Sequence, residues 1–208
     1  MFFNYEVIDN FMNKNDFNEL CSLNLKDVKE KEKKVYHNRV FKNGSIEFSC
    51  IKKDTLLRLH NNYHSKMIDI LERFAPEKVN LYEYSDFHIV IAGKNHTFPI
   101  HSDTPNKLLS GVVYLRPEFN SGTTIYSVDK KKTKNIEWKK NRALFFSRTE
   151  NTPHSYKSDG LSKRVTLIYN LMTTNIKGVC KVEKKFYPYI LIKEKFNKLL
   201  SKYFNLNI

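Results

Sequence analysis

The chain is short of cysteine, of acidic side chains and of arginine, and it has no long apolar run. Its three cysteines, Cys21, Cys50 and Cys180, make no short-spaced pair and are odd in number, which argues against a disulfide framework and for a reducing cytoplasm. Nowhere do about 18 apolar residues stand together, and the opening MFFNYEVIDNF lacks the basic start and unbroken apolar stretch of an export signal. Neither a membrane span nor secretion is expected. The acid deficit, 22 Asp and Glu against 36 Lys and Arg, leaves a formal net charge of +14. A nucleic-acid footprint would cluster its basic residues on one element and use arginine to read phosphates and bases. Here the excess is mostly lysine, scattered among asparagines through every segment. It reads as compositional bias, and nucleic acid is not expected as a partner.

What the chain does have is 40% apolar residues, with Phe and Tyr spread along its length, enough to bury a core. At 208 residues a single domain is expected over 1–208. Residues 1–78 read as a lead-in. Tyr5–Ile8 suggests a short strand, and Asn13–Leu23 a helix capped by Asn13. The alternating charges of LKDVKEKEKK, at 25–34, carry no apolar stripe and read as a solvated loop. Asn43-Gly44 tolerates the positive φ of a tight turn, which makes a hairpin of Val35–Phe41 and Ile46–Ile51. Leu56, Leu59, Tyr63, Met67, Ile70, Leu71 and Phe74 then fall at helical spacing, with Asp54 placed to cap the helix and Pro76 to stop it. His60 and His64 lie one turn apart there. No acidic partner completes a helical zinc pattern, so both are expected to pack or to face solvent.

From 79 to 175 the texture changes to short β-rich runs: Val79–Tyr84, Phe87–Ile91, Leu108–Leu115, Thr123–Ser127, Ile136–Trp138, Ala143–Ser147 and Val165–Leu171. Many short strands without crossover helices point to an antiparallel sandwich or barrel of the jelly-roll kind. Residues 176–208 are expected to be a helical extension, with a helix over Pro188–Phe204. The predicted class is α+β, mainly β, a jelly roll with flanking helices.

Chemistry concentrates in two segments. FPIHSD, 98–103, places His101 and Asp103 two apart at a strand end, so both side chains can leave one face. ALFFSRTENTPHSY, 143–156, delivers His154 on a second β segment, far enough along for the chain to pass round the barrel and bring it to the first pair. Two imidazoles and a carboxylate form the facial triad that leaves positions open on non-haem iron(II). Zinc is the rival metal for the same ligands. Arg164, ten residues past His154, opens the strand KRVTLIYNL and can point into the barrel. A buried arginine needs an anion, since an unpaired charge costs several kcal/mol. The far carboxylate of 2-oxoglutarate meets that need through paired hydrogen bonds, with Thr166 on the same side adding a hydroxyl.

His101-x-Asp103, then His154, then Arg164 resembles the pattern of the 2-oxoglutarate- and iron(II)-dependent dioxygenases. The run KLLSGVVYLRPEFNSGTTIYS is similar to the family's central strands, and YEVIDNFMNKNDFNEL to the lead-in of its prolyl-hydroxylase-like members. The resemblance implies a double-stranded β-helix that uses iron(II), 2-oxoglutarate and dioxygen to oxidise a substrate C–H bond, with succinate and carbon dioxide as by-products. Because Asp103 is present, hydroxylation is implied rather than halogenation. Relatives often carry a co-substrate tyrosine on the strand before the first ligand; here that run is HIVIAG, and Tyr114 on the next strand is the substitute. His88, Thr124 and Tyr126 are further residues that can face the pocket.

Two other readings compete. A nucleic-acid demethylase of the same superfamily would carry a second arginine six residues past the first, where this chain has Asn170. A non-enzymatic jelly-roll binding protein with a vestigial site is the other. The substrate is not legible; a protein side chain or a small molecule both fit, and the basic balance favours an acidic one. The loops 25–34 and 128–135 are the expected places for a lid.

Overall fold

The structure, a computed structural model, describes residues 1–192. It opens with strand β1 (Glu6–Ile8) and helix α1 (Lys14–Cys21), capped as expected by Asn13, whose side chain accepts from the Asp16 amide at 2.9 Å. Strands β2 (Lys33–Tyr36), β3 (Arg39–Phe41) and β4 (Ile46–Glu47) follow, the last two paired about a turn in which Gly44 takes φ +83°. The first predicted run is therefore split at His37-Asn38. There the Asn38 side chain bonds the carbonyls of Tyr36 and Phe87 and the amides of Ser49 and Ile51.

Helix α2 (Lys53–Phe74) buries Leu56, Leu59, Tyr63, Met67, Ile70 and Leu71, the apolar stripe of its sequence. Asp54 does not cap it. Lys52 is the N-cap, without a side-chain bond, and Asp54 sits in the first turn, where its charge complements the helix dipole. His60 and His64 stack on each other at 4.4 Å, beside Tyr82 and Phe87. Pro76 ends the helix by starting a 3-10 turn, Pro76–Leu81, where a strand was predicted. Proline at the first position suits that turn, and the alternation of Val79 and Leu81 is met by core contacts from a helical turn instead of a pleat.

The remaining strands are β5 (Tyr84–Ala92), β6 (Thr97–His101), β7 (Lys107–Arg116), β8 (Thr123–Tyr126), β9 (Thr133–Ile136), β10 (Ala143–Ser147), β11 (His154–Lys157) and β12 (Arg164–Met172), before helix α3 (Ile176–Val182). Strand β9 lies upstream of the predicted Ile136–Trp138, because an exposed edge strand needs no apolar alternation. Residues 187–192 are helical, and the rest of the helix predicted over Pro188–Phe204 lies outside the described residues. Among the described residues no helix is long and apolar enough to cross a membrane.

All pairings are antiparallel and make two sheets. The larger runs β1-β10-β7-β12-β5-β3-β4, with β2 also on β5; the smaller runs β6-β11-β8-β9. This is the jelly roll with flanking helices that the strand pattern predicts. Side-chain alternation divides each central strand between two environments. On β12, Val165, Leu167, Tyr169 and Leu171 join the core under the helices, whereas Arg164, Thr166, Ile168 and Asn170 face a cavity of about 200 Å³ lined from both sheets.

The 25–34 segment has no regular structure before β2 but is not loose. Its backbone bonds the β5–β6 turn through Gly93, Asn95 and the His96 imidazole, and Val28 is buried.

Candidate functional site

His101 ends β6 and His154 begins β11. The two strands pair so that these residues stand directly opposite each other, 53 positions apart in sequence and 4.3 Å between ring centroids. Asp103 follows on the loop after β6. His101 Nε2 lies 3.8 Å from Asp103 Oδ1 and His154 Nε2 3.9 Å from Oδ2. One ligand atom from each of the three lies within 4.8 Å of the others, a group that can hold a metal ion.

Each imidazole is oriented by a carbonyl two residues back. His101 Nδ1 is 3.0 Å from the Pro99 carbonyl, and His154 Nδ1 is 3.0 Å from that of Thr152. A carbonyl only accepts, so Nδ1 carries the proton and Nε2 turns its lone pair to the carboxylate. Burial, helped by His101 and Lys107 and opposed by Asp103, pushes His154 down to about 4, so at neutral pH it is the uncharged ligand form. Asp103 is only 8% exposed. Burial works to raise its pKa, but the Lys107 ammonium beside it holds the carboxyl well below the usual range. Lys107 Nζ donates to Oδ1 at 2.6 Å and Ser110 Oγ to Oδ2 at 2.6 Å. The Asp103 carbonyl accepts from Arg148 Nε at 2.7 Å; Arg148 is paired in turn with Glu183, which also binds the buried Lys78.

Arg164 sits on the same wall, 3% exposed, and no carboxylate lies within ion-pair distance of it among the described residues. Its guanidinium donates only to backbone, at 3.1 Å to the Gly122 carbonyl and 3.5 Å to that of Ser121. Its Cζ lies 4.1 Å above the Tyr156 ring, with Trp138 and Tyr114 at 5.3 and 5.4 Å. Burial pulls its pKa below that of an ordinary arginine, and the two tyrosines partly offset this. Gly122 permits the arrangement, because a Cβ there would stand 1.8 Å from the Ile136 carbonyl.

Thr166 lines the cavity one pleat from Arg164, and the triad, Ser110 and Tyr156 line it too. Tyr114 does not. It is fully buried, its hydroxyl donates to Thr123 Oγ1 at 2.9 Å, and it stacks on Trp138, so it meets the cavity only through Thr123 and the back of Arg164. Register decides the same for Thr124 and Tyr126: Thr123 and Ile125 take the inward positions of β8, with Thr123 on the cavity, and Tyr126 shares a bond with Ser155. His88 is outside as well, 3.1 Å from His37 and beside Asp86. Asn170, where a demethylase would carry its second arginine, accepts from the Gly111 amide at 3.1 Å.

Sequence reasoning missed Tyr156, Ser110, Lys107 and Lys33. Tyr156 had a signal, since it lies two residues beyond His154 on one strand and must share its face. Lys33 had none; it comes from β2 in the charge-rich segment.

No protein-family profile matches the chain, and no curated protein matches its sequence. Solved structures do match. A prolyl-4-hydroxylase from Pseudomonas putida superposes with a TM-score of 0.56 at 13% identity, over 82% of this chain and 93% of that one. A prolyl hydroxylase from Trichoplax adhaerens, solved with a hypoxia inducible factor peptide fragment, gives 0.55 at 14%, over 84% and 86%. HygX from Streptomyces hygroscopicus, solved with nickel and 2-oxoglutarate, gives 0.52 at 12%, over 82% and 83%. The chain thus has the jelly-roll fold of the 2-oxoglutarate oxygenases, as its motif pattern suggested; at these identities the likeness is one of fold.

Proposed function

We propose that the chain is an iron(II)- and 2-oxoglutarate-dependent oxygenase that hydroxylates a substrate held in the cavity. His101, Asp103 and His154 hold the metal, and Arg164, with Thr166 beside it, holds the far carboxylate of 2-oxoglutarate. The observation that carries this reading is the pairing of a three-residue ligand group with a buried guanidinium that lacks an anion, on the walls of one cavity. Zinc can take the same three ligands; what favours the oxygenase reading is that the unpaired guanidinium of Arg164 matches the far carboxylate of a dicarboxylate co-substrate. The donor set fits iron(II), since two imidazoles and one carboxylate leave coordination positions for a bidentate oxo-acid and dioxygen. When bound, the metal with 2-oxoglutarate and dioxygen supplies the oxidising power to hydroxylate a C–H bond as the oxo-acid becomes succinate and carbon dioxide.

The chain's own residues then have separate tasks. The Pro99 and Thr152 carbonyls fix the imidazoles, Ser110 and Lys107 hold the Asp103 carboxylate, and the Tyr156 face and Gly122 carbonyl aim Arg164. Val90, Val112, Leu144 and Phe146 give the cavity apolar walls, which lower the local dielectric and strengthen the charge interactions beside them.

The test is anaerobic titration of iron(II) and 2-oxoglutarate. Wild type should develop a visible charge-transfer band and His101→Ala none. Arg164→Met should keep metal binding but weaken 2-oxoglutarate by about a hundredfold or more, as loss of a charge-assisted bidentate partner implies. Wild type that shows no band and releases no succinate across a substrate panel would sink the proposal.

A further inference from the structure

Lys33 stands on β2 opposite Ala92, and Arg164 stands on β12 opposite the same Ala92. The two cations therefore occupy one row across three neighbouring strands, on the face that lines the cavity, with only a methyl group between them. Each sits over an aromatic ring of the opposite sheet: Lys33 Nζ is 4.1 Å from the centre of Phe98, and Arg164 Cζ is 4.1 Å from that of Tyr156. Those rings are stacked 5.9 Å apart and within 9° of parallel. Phe98 also meets His101 edge-on at 4.3 Å, so the ring beneath Lys33 touches one of the candidate metal ligands. Among the described residues Lys33 has no carboxylate within ion-pair distance, although it is half-buried and burial and Lys107 both lower its pKa.

Charge balance says what this cation is for. The formally charged residues lining the cavity are Lys33, Lys107, Arg164 and Asp103, and with both imidazoles in their neutral ligating form the wall carries two positive charges in excess. Iron(II) and the 2-oxoglutarate dianion cancel each other, so loading the site leaves that excess in place. Lys107 is engaged by Asp103 and Arg164 by the co-substrate, which leaves Lys33 as the free cation. We infer, on the oxygenase reading above, that the part of the substrate entering this cavity carries an anionic group, a carboxylate or a phosphate, and that Lys33 binds it. The aromatic seat on Phe98 holds the ammonium while its desolvation is offset by the incoming anion.

The test is calorimetry on protein loaded with manganese(II) and saturating 2-oxoglutarate, titrated at low ionic strength with glutarate, inorganic phosphate and uncharged glutaramide. At least one anion should bind and glutaramide should not; whether glutarate or phosphate is tighter assigns the anion type. Lys33→Met keeps the stem that covers Phe98 and should weaken the anion about tenfold or more, with 2-oxoglutarate affinity changed by less than about twofold; Lys33→Arg should restore it. Failure of wild type to take up 2-oxoglutarate would overturn the oxygenase reading itself. Uptake of 2-oxoglutarate without binding of either anion, or equal anion binding by Lys33→Met, would overturn only the role of Lys33. So would loss of 2-oxoglutarate affinity in Lys33→Met, which would make Lys33 a co-substrate residue.

Discussion

The imidazoles of His101 and His154 are oriented by backbone carbonyls, but the Asp103 carboxylate is held by side chains whose bonds can be removed one at a time. Ser110 donates to Asp103 Oδ2 and touches neither imidazole in a hydrogen bond, so Ser110→Ala leaves the carboxylate free to rotate toward Lys107. Metal affinity should fall about tenfold, in line with loss of an outer-shell partner, while the fold is retained. Iron(II) or manganese(II) titration measures this, and unchanged affinity would show that Lys107 alone positions Asp103. The candidate metal group was legible in the sequence because His-x-Asp with a distal histidine and arginine is a pattern of residue types, and the fold brings its three possible ligands together. Ser110, Tyr156 and Lys33 were less legible, because serine, tyrosine and lysine are common and only their facing tells.

Elements carry these residues by alternation, and one residue of slip would exchange cavity for core. Strand β12 shows it best: Arg164 and Thr166 face inward while Val165 and Leu167 join the apolar core, so the strand's position was readable from its sequence. The turn into β8 is a closer fit. Gly122→Ala forces a Cβ against the Ile136 backbone, where nothing flexible can yield. The expected result is a loss of about 1–3 kcal/mol in urea-derived stability, as for overpacking, and weaker 2-oxoglutarate binding through the displaced Gly122 carbonyl. Stability and affinity both at wild-type level would mean the β8–β9 edge relaxes freely. At the chain's start, Asn13→Ala removes the α1 cap and should cost about 1 kcal/mol with no effect on either ligand.

Across the whole molecule, buried titratable groups set the response to acid. Burial pushes His154 and His60 to about 4 and His88 to about 3. The unfolded chain protonates these imidazoles near pH 6.5 and the folded chain does not, so unfolding takes up protons as pH falls, and their contribution to stability is lost progressively from about pH 6.5 toward pH 4. Asp16 works in the same direction lower down. Burial opposes its ionisation, but bonds from Tyr63, Arg58, Asn62 and Asn13 hold its pKa below the ordinary value, so its contribution is present above that value and fades as pH falls through the folded pKa. Metal-free protein should therefore show a lower urea midpoint at pH 5 than at pH 7. His88→Gln should flatten the difference; equal midpoints for wild type would mean that these histidines are not buried uncharged. Glu183 tests long-range support, since it joins buried Lys78 and Arg148, and Arg148 holds the Asp103 carbonyl. Glu183→Ala leaves two buried cations unpaired, and a loss of about 3–5 kcal/mol is expected, with weaker metal binding.

The sequence by itself determined the strand-rich jelly roll, the α2 stripe, the α1 cap and the four-residue motif of His101, Asp103, His154 and Arg164. Those follow from local periodicity, turn chemistry and residue type, which act within a few positions along the chain. Only the tertiary structure decided that Tyr114 spends its hydroxyl on Thr123, that Pro76–Leu81 winds where an alternating pattern suggested a strand, and that segment 25–34 is tied to the β5–β6 turn. It also decided that Lys33 stands in line with Arg164. Such facts depend on which strands become neighbours and in what register, and β2, β5 and β12 are joined by contacts more than 50 residues apart in the chain, a separation over which no local signal persists.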